Sequence, residues 1–193
     1  MEKNSRLNYR SGFKKDILRI IQYITLYCSK MAIYFIRHGQ TDYNKKNLWM
    51  GRANFPLNST GLQQAHNSAK VLSKIDFSQI YSSPLLRAMQ TAQCINSMQR
   101  SIKKIIMLDE LSERDFGLFE GAIKTQENRT KIESSPSVEA INEIIERVTV
   151  AMEVISKSAG DVLVVSHSNV FITLVNHLGY KSSPEVKYLE NAQ

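Results

Sequence analysis

Residues 31–41 read Met31-Ala32-Ile33-Tyr34-Phe35-Ile36-Arg37-His38-Gly39-Gln40-Thr41, a short apolar run that ends abruptly in arginine and histidine. Residues 32–36 are apolar on both alternating faces, which predicts a strand covered on both sides rather than an amphipathic edge. Three further runs have the same character: SQIYS at 78–82, KIIML at 104–108 and DVLVVS at 161–166. Longer stretches with helical periodicity separate them. Strands alternating with helices predict an α/β domain, a mostly parallel sheet flanked by helices in three layers.

The helical stretches carry their own punctuation. Residues 59 to about 74 place Leu62, Ala65, Ala69 and Leu72 on one stripe, with Asn58 or Ser59 able to cap the start. A second helix is predicted to begin at Pro84 with Ser83 as its cap, because proline suits the first helical position. A third runs from about 137 to 157, where Val138, Ile141, Ile144, Ile145, Val148 and Met152 repeat and Gly160 follows. A fourth follows Ser168. Residues 122–136, rich in Lys, Thr, Gln, Asn, Glu and Ser, read as a mobile surface loop.

A length of 193 residues with 42% hydrophobic content suits one domain. The two cysteines, Cys28 and Cys94, form no CxxC pair, which fits a reducing, cytoplasmic setting. The net charge of +7 is unevenly spread: residues 1–30 hold seven Lys or Arg against two acidic residues, and the other 163 hold eighteen against sixteen. The body of the chain therefore offers no general polyanion surface, and no nucleic-acid partner is expected. The apolar run within 14–30 is interrupted by Arg19, Gln22, Tyr23 and Thr25, too short for a span of about 20 apolar residues, so no integral membrane segment is expected. Met31 reads as a natural chain start. Residues 1–30 are expected to be a basic leader, disordered or an over-extended start, ahead of a domain at 31–193.

In an open α/β sheet, ligands bind outside the carboxyl ends of the strands. Those ends carry Arg37, His38, Gln40 and Thr41; then Ser82, Ser83 and Arg87; then Glu110 and Glu113; then His167, Ser168 and Asn169. Two arginines can grip phosphate oxygens through planar guanidinium forks. A neutral His38 can attack phosphorus and hold the group covalently. His167 at a helix start adds to an anion site. A carboxylic acid can protonate the leaving oxygen and then activate water. His66 and His177 lie away from strand ends and are expected to be ordinary surface or core residues. No HExxH-type spacing occurs, so no metal and no cofactor are expected.

Together these residues resemble the histidine phosphatase superfamily, which includes cofactor-dependent phosphoglycerate mutases and small-molecule phosphatases. The similarity spans Ile33 to about Gly179. It rests on Ile36-Arg37-His38-Gly39-Gln40-Thr41 with Asn44, on Pro56-Leu57-Asn58 through Gly61 and Gln64-Ala65, and on Tyr81-Ser82-Ser83-Pro84-Leu85 through Arg87-Ala88 and Gln90-Thr91-Ala92. It continues with Leu111-Ser112-Glu113 through Phe116-Gly117 and Glu120-Gly121, and with Val164-Val165-Ser166-His167. The resemblance implies a phosphoglycerate mutase-like fold, catalytic His38, Glu113 and His167, and phosphate binding by Arg37, Arg87, His167, Asn44 and Thr41. It selects Glu113 over Glu110 as the acid.

The implied activity is hydrolysis of a small-molecule phosphate ester through a phosphohistidine on His38. A mutase and a non-catalytic phosphate-binding module are the alternatives. Several positions depart from the family pattern: Ser168-Asn169 follows the second histidine where glycine is usual, Asn54 stands where an acid is common, and Ala140 follows Glu139 where serine is common. The stretch from Gly121 to Glu139 is shorter than the usual lid, which favours access of water. The chain ends about where a final edge strand is expected, so that strand is expected to be lacking.

Overall fold

A computed structural model describes residues 24–28, 31–182 and 189–191. Among these, five strands form one sheet: β1 (Ile24–Cys28), β2 (Met31–Arg37), β3 (Gln79–Ser82), β4 (Ile105–Met107) and β5 (Val162–Ser166), in the order β1-β2-β5-β3-β4. β2, β5, β3 and β4 run parallel, and β1 pairs antiparallel with β2. β1 is drawn from the segment expected to be a leader and gives the sheet a fifth strand. The rest of that segment lies outside the described residues, as does most of the carboxyl end, where the lacking edge strand was expected.

Strand alternation assigns the two faces of the core. Ile33 and Phe35 of β2, with Val162 and Val164 of β5, pack against Ile144, Val148, Ala151, Met152, Ile155, Val170, Phe171 and Leu174. The intervening Ile36, Leu163 and Val165 meet Ala69, Leu72, Ala88, Ala92 and Ile95 on the other side. These partners belong to four helices, α2 (Ser59–Leu72) and α3 (Leu86–Asn96) on one face, α5 (Ile141–Ile155) and α6 (Ser168–Asn176) on the other. All five residues of β5 are buried, as its central place requires. Each large side chain so covered contributes about 1.5–3 kcal/mol.

Two short helices complete the described residues, α1 (Asp42–Lys45) and α4 (Gln126–Ser134). α4 falls within the stretch read as a mobile loop. Its Thr125 side chain caps the start by accepting from the Asn128 N–H, and its sole buried residue is Ile132, which joins Phe116 and Val138 in a third small cluster. With so narrow an apolar stripe, its composition resembles that of a loop.

Two helix starts differ from expectation for a shared reason. α3 begins at Leu86 rather than Pro84, and Ser83 does not cap it: the Ser83 hydroxyl accepts from the Leu85 N–H and lies 2.8 Å from Nε2 of His167. α5 begins at Ile141 rather than near 137, because Val138 is committed to the third cluster and Glu139 to Arg147, while Glu143 accepts from the Ala140 N–H. In both places a side chain suited to starting a helix is used for a tertiary contact. α2 is capped by Asn58, whose side chain accepts from the Gly61 N–H.

The parallel registers bring the strand ends level. Arg37 stands opposite Ser166, and Ser82 stands opposite both Val165 and Met107. The bonds continue past the strands, with the His38 N–H donating to Ser166 O and the Ser83 N–H to Val165 O. The turns at 38, 83 and 167 therefore leave the sheet at one level. No helix among the described residues is long and apolar enough to cross a membrane.

Candidate active site

A cavity of about 210 Å³ opens at these strand ends, lined among others by Arg37, His38, Asn44, Arg87, Glu113 and Asn169. His38 is 1% exposed and its tautomer follows from one contact. Its Nδ1 lies 2.7 Å from the carbonyl oxygen of Gly39, which can only accept, so Nδ1 carries the proton. Nε2 is then a bare lone pair, and it accepts from Nε of Arg87 at 3.2 Å. Burial, reinforced by Arg87 and Arg37, pushes the His38 pKa well below its ordinary 6.5, so the ring stays neutral.

Arg87 sits in the first turn of α3, fully buried, with its other nitrogens fixed on carbonyls: Nη1 on Ala53 O and Nη2 on Gly51 O, both at 2.8 Å. Burial lowers its pKa to about 10, which leaves it charged at neutral pH. Arg37, the last residue of β2, donates from Nη1 to Leu189 O, and its Nε is buried without a partner among the described residues. Burial lowers its pKa as well.

His167 packs against His38, with ring centroids 5.1 Å apart, and does not itself line the cavity. Ser83 Oγ accepts from Leu85 N–H, so its own hydrogen is best satisfied by His167 Nε2. That leaves the proton on Nδ1, a buried donor without a partner among the described residues. Desolvation, followed by Arg87 and His38, holds the His167 pKa well below 6.5.

Glu113 is 8% exposed and lines the cavity, whereas Glu110 does not. Its Oε1 accepts from the backbone N–H of Arg114 at 3.0 Å and of Asn169 at 3.2 Å, which directs Oε2 to other work. Thus the Ser168-Asn169 sequence at the start of α6 supplies an amide to the carboxylate. Asn44 lines the cavity, while Thr41 is buried as the cap of α1, its hydroxyl accepting from the Asn44 N–H. His66 lies within α2 and His177 closes α6, both away from the cavity.

Several cavity residues were not singled out from the sequence. Trp49 lines the wall, with Lys124 Nζ 5.1 Å and the Arg129 guanidinium 5.3 Å from its ring centroid. Burial lowers the Lys124 pKa, with Arg37 acting in the same direction. Asn191 donates from Nδ2 to His38 O at 3.0 Å and to Asn44 Oδ1 at 3.3 Å, tying the far end of the chain to the histidine loop. A second cavity of about 430 Å³ shares Trp49, Phe116, Arg129 and Asn169 with the first. Among the described residues, no group of three or more His, Cys, Asp or Glu could hold a metal ion.

The arrangement places a neutral imidazole, two guanidinium groups and a carboxyl group around one small cavity, a set able to move a phosphoryl group. Residues 33–192 match the histidine phosphatase superfamily, branch 1. The chain is 29% identical over 150 residues to the uncharacterized phosphatase PhoE of Bacillus subtilis, covering 76% of this chain and 77% of that one. It is 30% identical over 169 residues to a 2,3-bisphosphoglycerate-dependent phosphoglycerate mutase of Cytophaga hutchinsonii, covering 79% of each. The fructose-2,6-bisphosphatase TIGAR B of Danio rerio is 38% identical over 96 residues, but only 37% of its length is spanned. Among solved structures, a phosphoglycerate mutase from Bacillus anthracis superposes with a TM-score of 0.68 at 27% identity, covering 76% of this chain and 79% of that one. The sheet, the site and the matched span together make this chain a member of the histidine phosphatase superfamily.

Proposed function

We propose that the protein hydrolyses a small phosphate monoester through a phosphohistidine on His38. The observation that carries this reading is the fixed tautomer of His38, which presents a neutral Nε2 beside Arg87 inside the cavity. Arg37, Arg87 and Asn44 hold the phosphoryl oxygens, and His167, whose ring centroid lies 5.1 Å from that of His38 and whose buried Nδ1 has no partner among the described residues, is a further donor to them. Nε2 gives up the Arg87 Nε–H, which passes to a phosphoryl oxygen, and its freed lone pair attacks phosphorus: an N–P bond forms and the ester P–O bond breaks. The departing oxygen takes the proton of the Glu113 carboxyl. In the second half, the Glu113 carboxylate takes a proton from water, the water oxygen bonds to phosphorus, and the N–P bond breaks. Inorganic phosphate leaves, and Nε2 regains its lone pair.

The two arginines and the buried donors act on charge that spreads over the phosphoryl oxygens in flight. Hydrolysis is preferred to transfer because the cavity adjoins a second, larger opening rather than a closed chamber, so water reaches the intermediate. The reaction runs in the cytoplasm, on a freely diffusing ester.

The test is release of inorganic phosphate from p-nitrophenyl phosphate by the purified protein and by His38→Ala. Loss of turnover in the variant, with an acid-labile phosphate on the wild-type protein after rapid quench, is expected. Equal turnover in both overturns the reading, and phosphate passed to an added phosphoglycerate in preference to water turns it to a mutase.

A further inference from the structure

Glu113 is carried on an irregular segment between two short 3-10 turns, Asp109–Leu111 and Gly117–Phe119, and such a segment does not hold a side chain in place by its own backbone bonds. It is held from outside by a buried ion pair. Nη1 of Arg147 donates to the carbonyls of Glu110 and Ser112, both at 2.6 Å, on either side of Leu111 and immediately before Glu113. The rest of its guanidinium is bonded to Glu139, Nε to Oε1 at 2.5 Å and Nη2 to Oε2 at 2.9 Å. Glu139 then returns to the same segment: its Oε2 accepts from the Asp115 N–H and its backbone N–H donates to Asp115 O, both at 3.0 Å. Its carbonyl accepts from Nε of Arg114 at 2.9 Å.

Residues 110, 112, 114 and 115 are thus fixed through one pair, and Glu113 lies inside that bracket. The pair is well shielded, with side chains 14% and 9% exposed, and its two members come from α5 and from the turn before it. A planar guanidinium with five donors is the one side chain that can serve two carbonyls and a carboxylate at once. Neither residue lines the cavity.

We infer that Arg147 and Glu139 are positioning residues that aim the Glu113 carboxyl at the leaving oxygen of the substrate. The inference rests on the reading of Glu113 as proton donor. It makes a demand that general support of the fold does not. An ester whose alcohol leaves as a stable anion needs no proton, whereas an alkyl ester does. Misplacing the acid therefore slows alkyl phosphates selectively, and a displacement of about 1 Å can cost about 100-fold.

Arg147→Lys and Glu139→Gln are compared with wild type and with Glu113→Gln on p-nitrophenyl phosphate and on a simple alkyl phosphate, after cooperative thermal unfolding establishes that each variant is folded. Two variants are used so that a folding failure in one leaves the other to decide. Arg147→Lys and Glu139→Gln are expected to lose kcat/KM, which ends at ester cleavage and leaves out the shared water step, about 10- to 100-fold on the alkyl ester and less than about threefold on the aryl ester, following the pattern of Glu113→Gln. An equal loss on both esters, or none on either, while Glu113→Gln remains selective, overturns the positioning role alone. A Glu113→Gln variant that is not selective overturns the acid role of Glu113 and the positioning role with it.

Discussion

Nε of Arg87 donates to Nε2 of His38 across 3.2 Å, so the arginine and the histidine of the cavity are held as one unit. Nη1 gives one hydrogen to Ala53 O and Nη2 one to Gly51 O, which fixes the plane of the fork and leaves a second hydrogen on each. Lysine has one charged atom and cannot reach three acceptors in that plane. Arg87→Lys is expected to lower kcat/KM for p-nitrophenyl phosphate about 100- to 1,000-fold, the range for removal of one preorganised donor. A steady-state measurement giving less than a threefold fall would show that the fork is not needed.

The buried histidines make a second prediction, on stability against pH. In the unfolded chain His38 and His167 titrate near 6.5, and in the folded protein burial and Arg87 hold both well below it. Below 6.5 the unfolded state binds protons that the folded state refuses, so stability falls as pH falls and is level above that point with respect to these groups. Each histidine adds a slope of about 1.4 kcal/mol per pH unit. Melting temperatures from pH 8 to pH 5 should be flat and then decline, and His38→Ala should decline about half as steeply. A parallel decline in the variant would contradict the assignment.

A third prediction concerns the backbone beneath the histidine. A Cβ on Gly61 would lie 2.1 Å from the carbonyl oxygen of Gln40, and one on Gly39 would lie 2.5 Å from the carbonyl oxygen of Gly61. The start of α2 is therefore pressed against the histidine loop, and neither side is a flexible side chain that could move away. Gly61→Ala is expected to cost about 1–3 kcal/mol, as overpacking of a close contact does, and to reduce turnover because Gly39 O fixes the His38 tautomer. Denaturant unfolding combined with phosphate release reads both effects, and an unchanged midpoint would show that the contact is loose.

The strand ends were legible because the signal is local: residues 32–36 and 161–166 are apolar on both faces, and the polar residues that follow, Arg37, His38 and His167, stand out against them. Convergence of Arg87 and Glu113 on the same cavity follows once the strands are parallel and in register. What stayed hidden depends on pairs that are far apart in sequence. Ser83 has the local signature of a helix cap but bonds His167, 84 residues away. Lys124 and Arg129 read as loop composition until Trp49 is beneath them, and Asn191 meets His38 only through the folded chain. Ser168-Asn169, read as a departure from the usual glycine, puts an amide on Glu113.

Glu120 offers the last prediction, because it stabilises Arg87 without touching it. Its carboxylate accepts from the Arg52 N–H at Oε1, 2.6 Å, and from the Ala53 N–H at Oε2, 3.0 Å. Those amides belong to the loop whose carbonyls at Gly51 and Ala53 grip Arg87. Both carboxylate oxygens are engaged, so Glu120→Gln must turn an NH2 group toward one of the two amides, losing one charge-assisted bond and leaving two donors face to face. The loop then shifts and the Arg87 fork with it. Affinity for inorganic phosphate, followed by competitive inhibition of p-nitrophenyl phosphate hydrolysis, should weaken about tenfold, equivalent to about 1.4 kcal/mol. A variant that melts lower but binds phosphate as wild type does would reduce Glu120 to a brace of the loop, with no hold on the arginine.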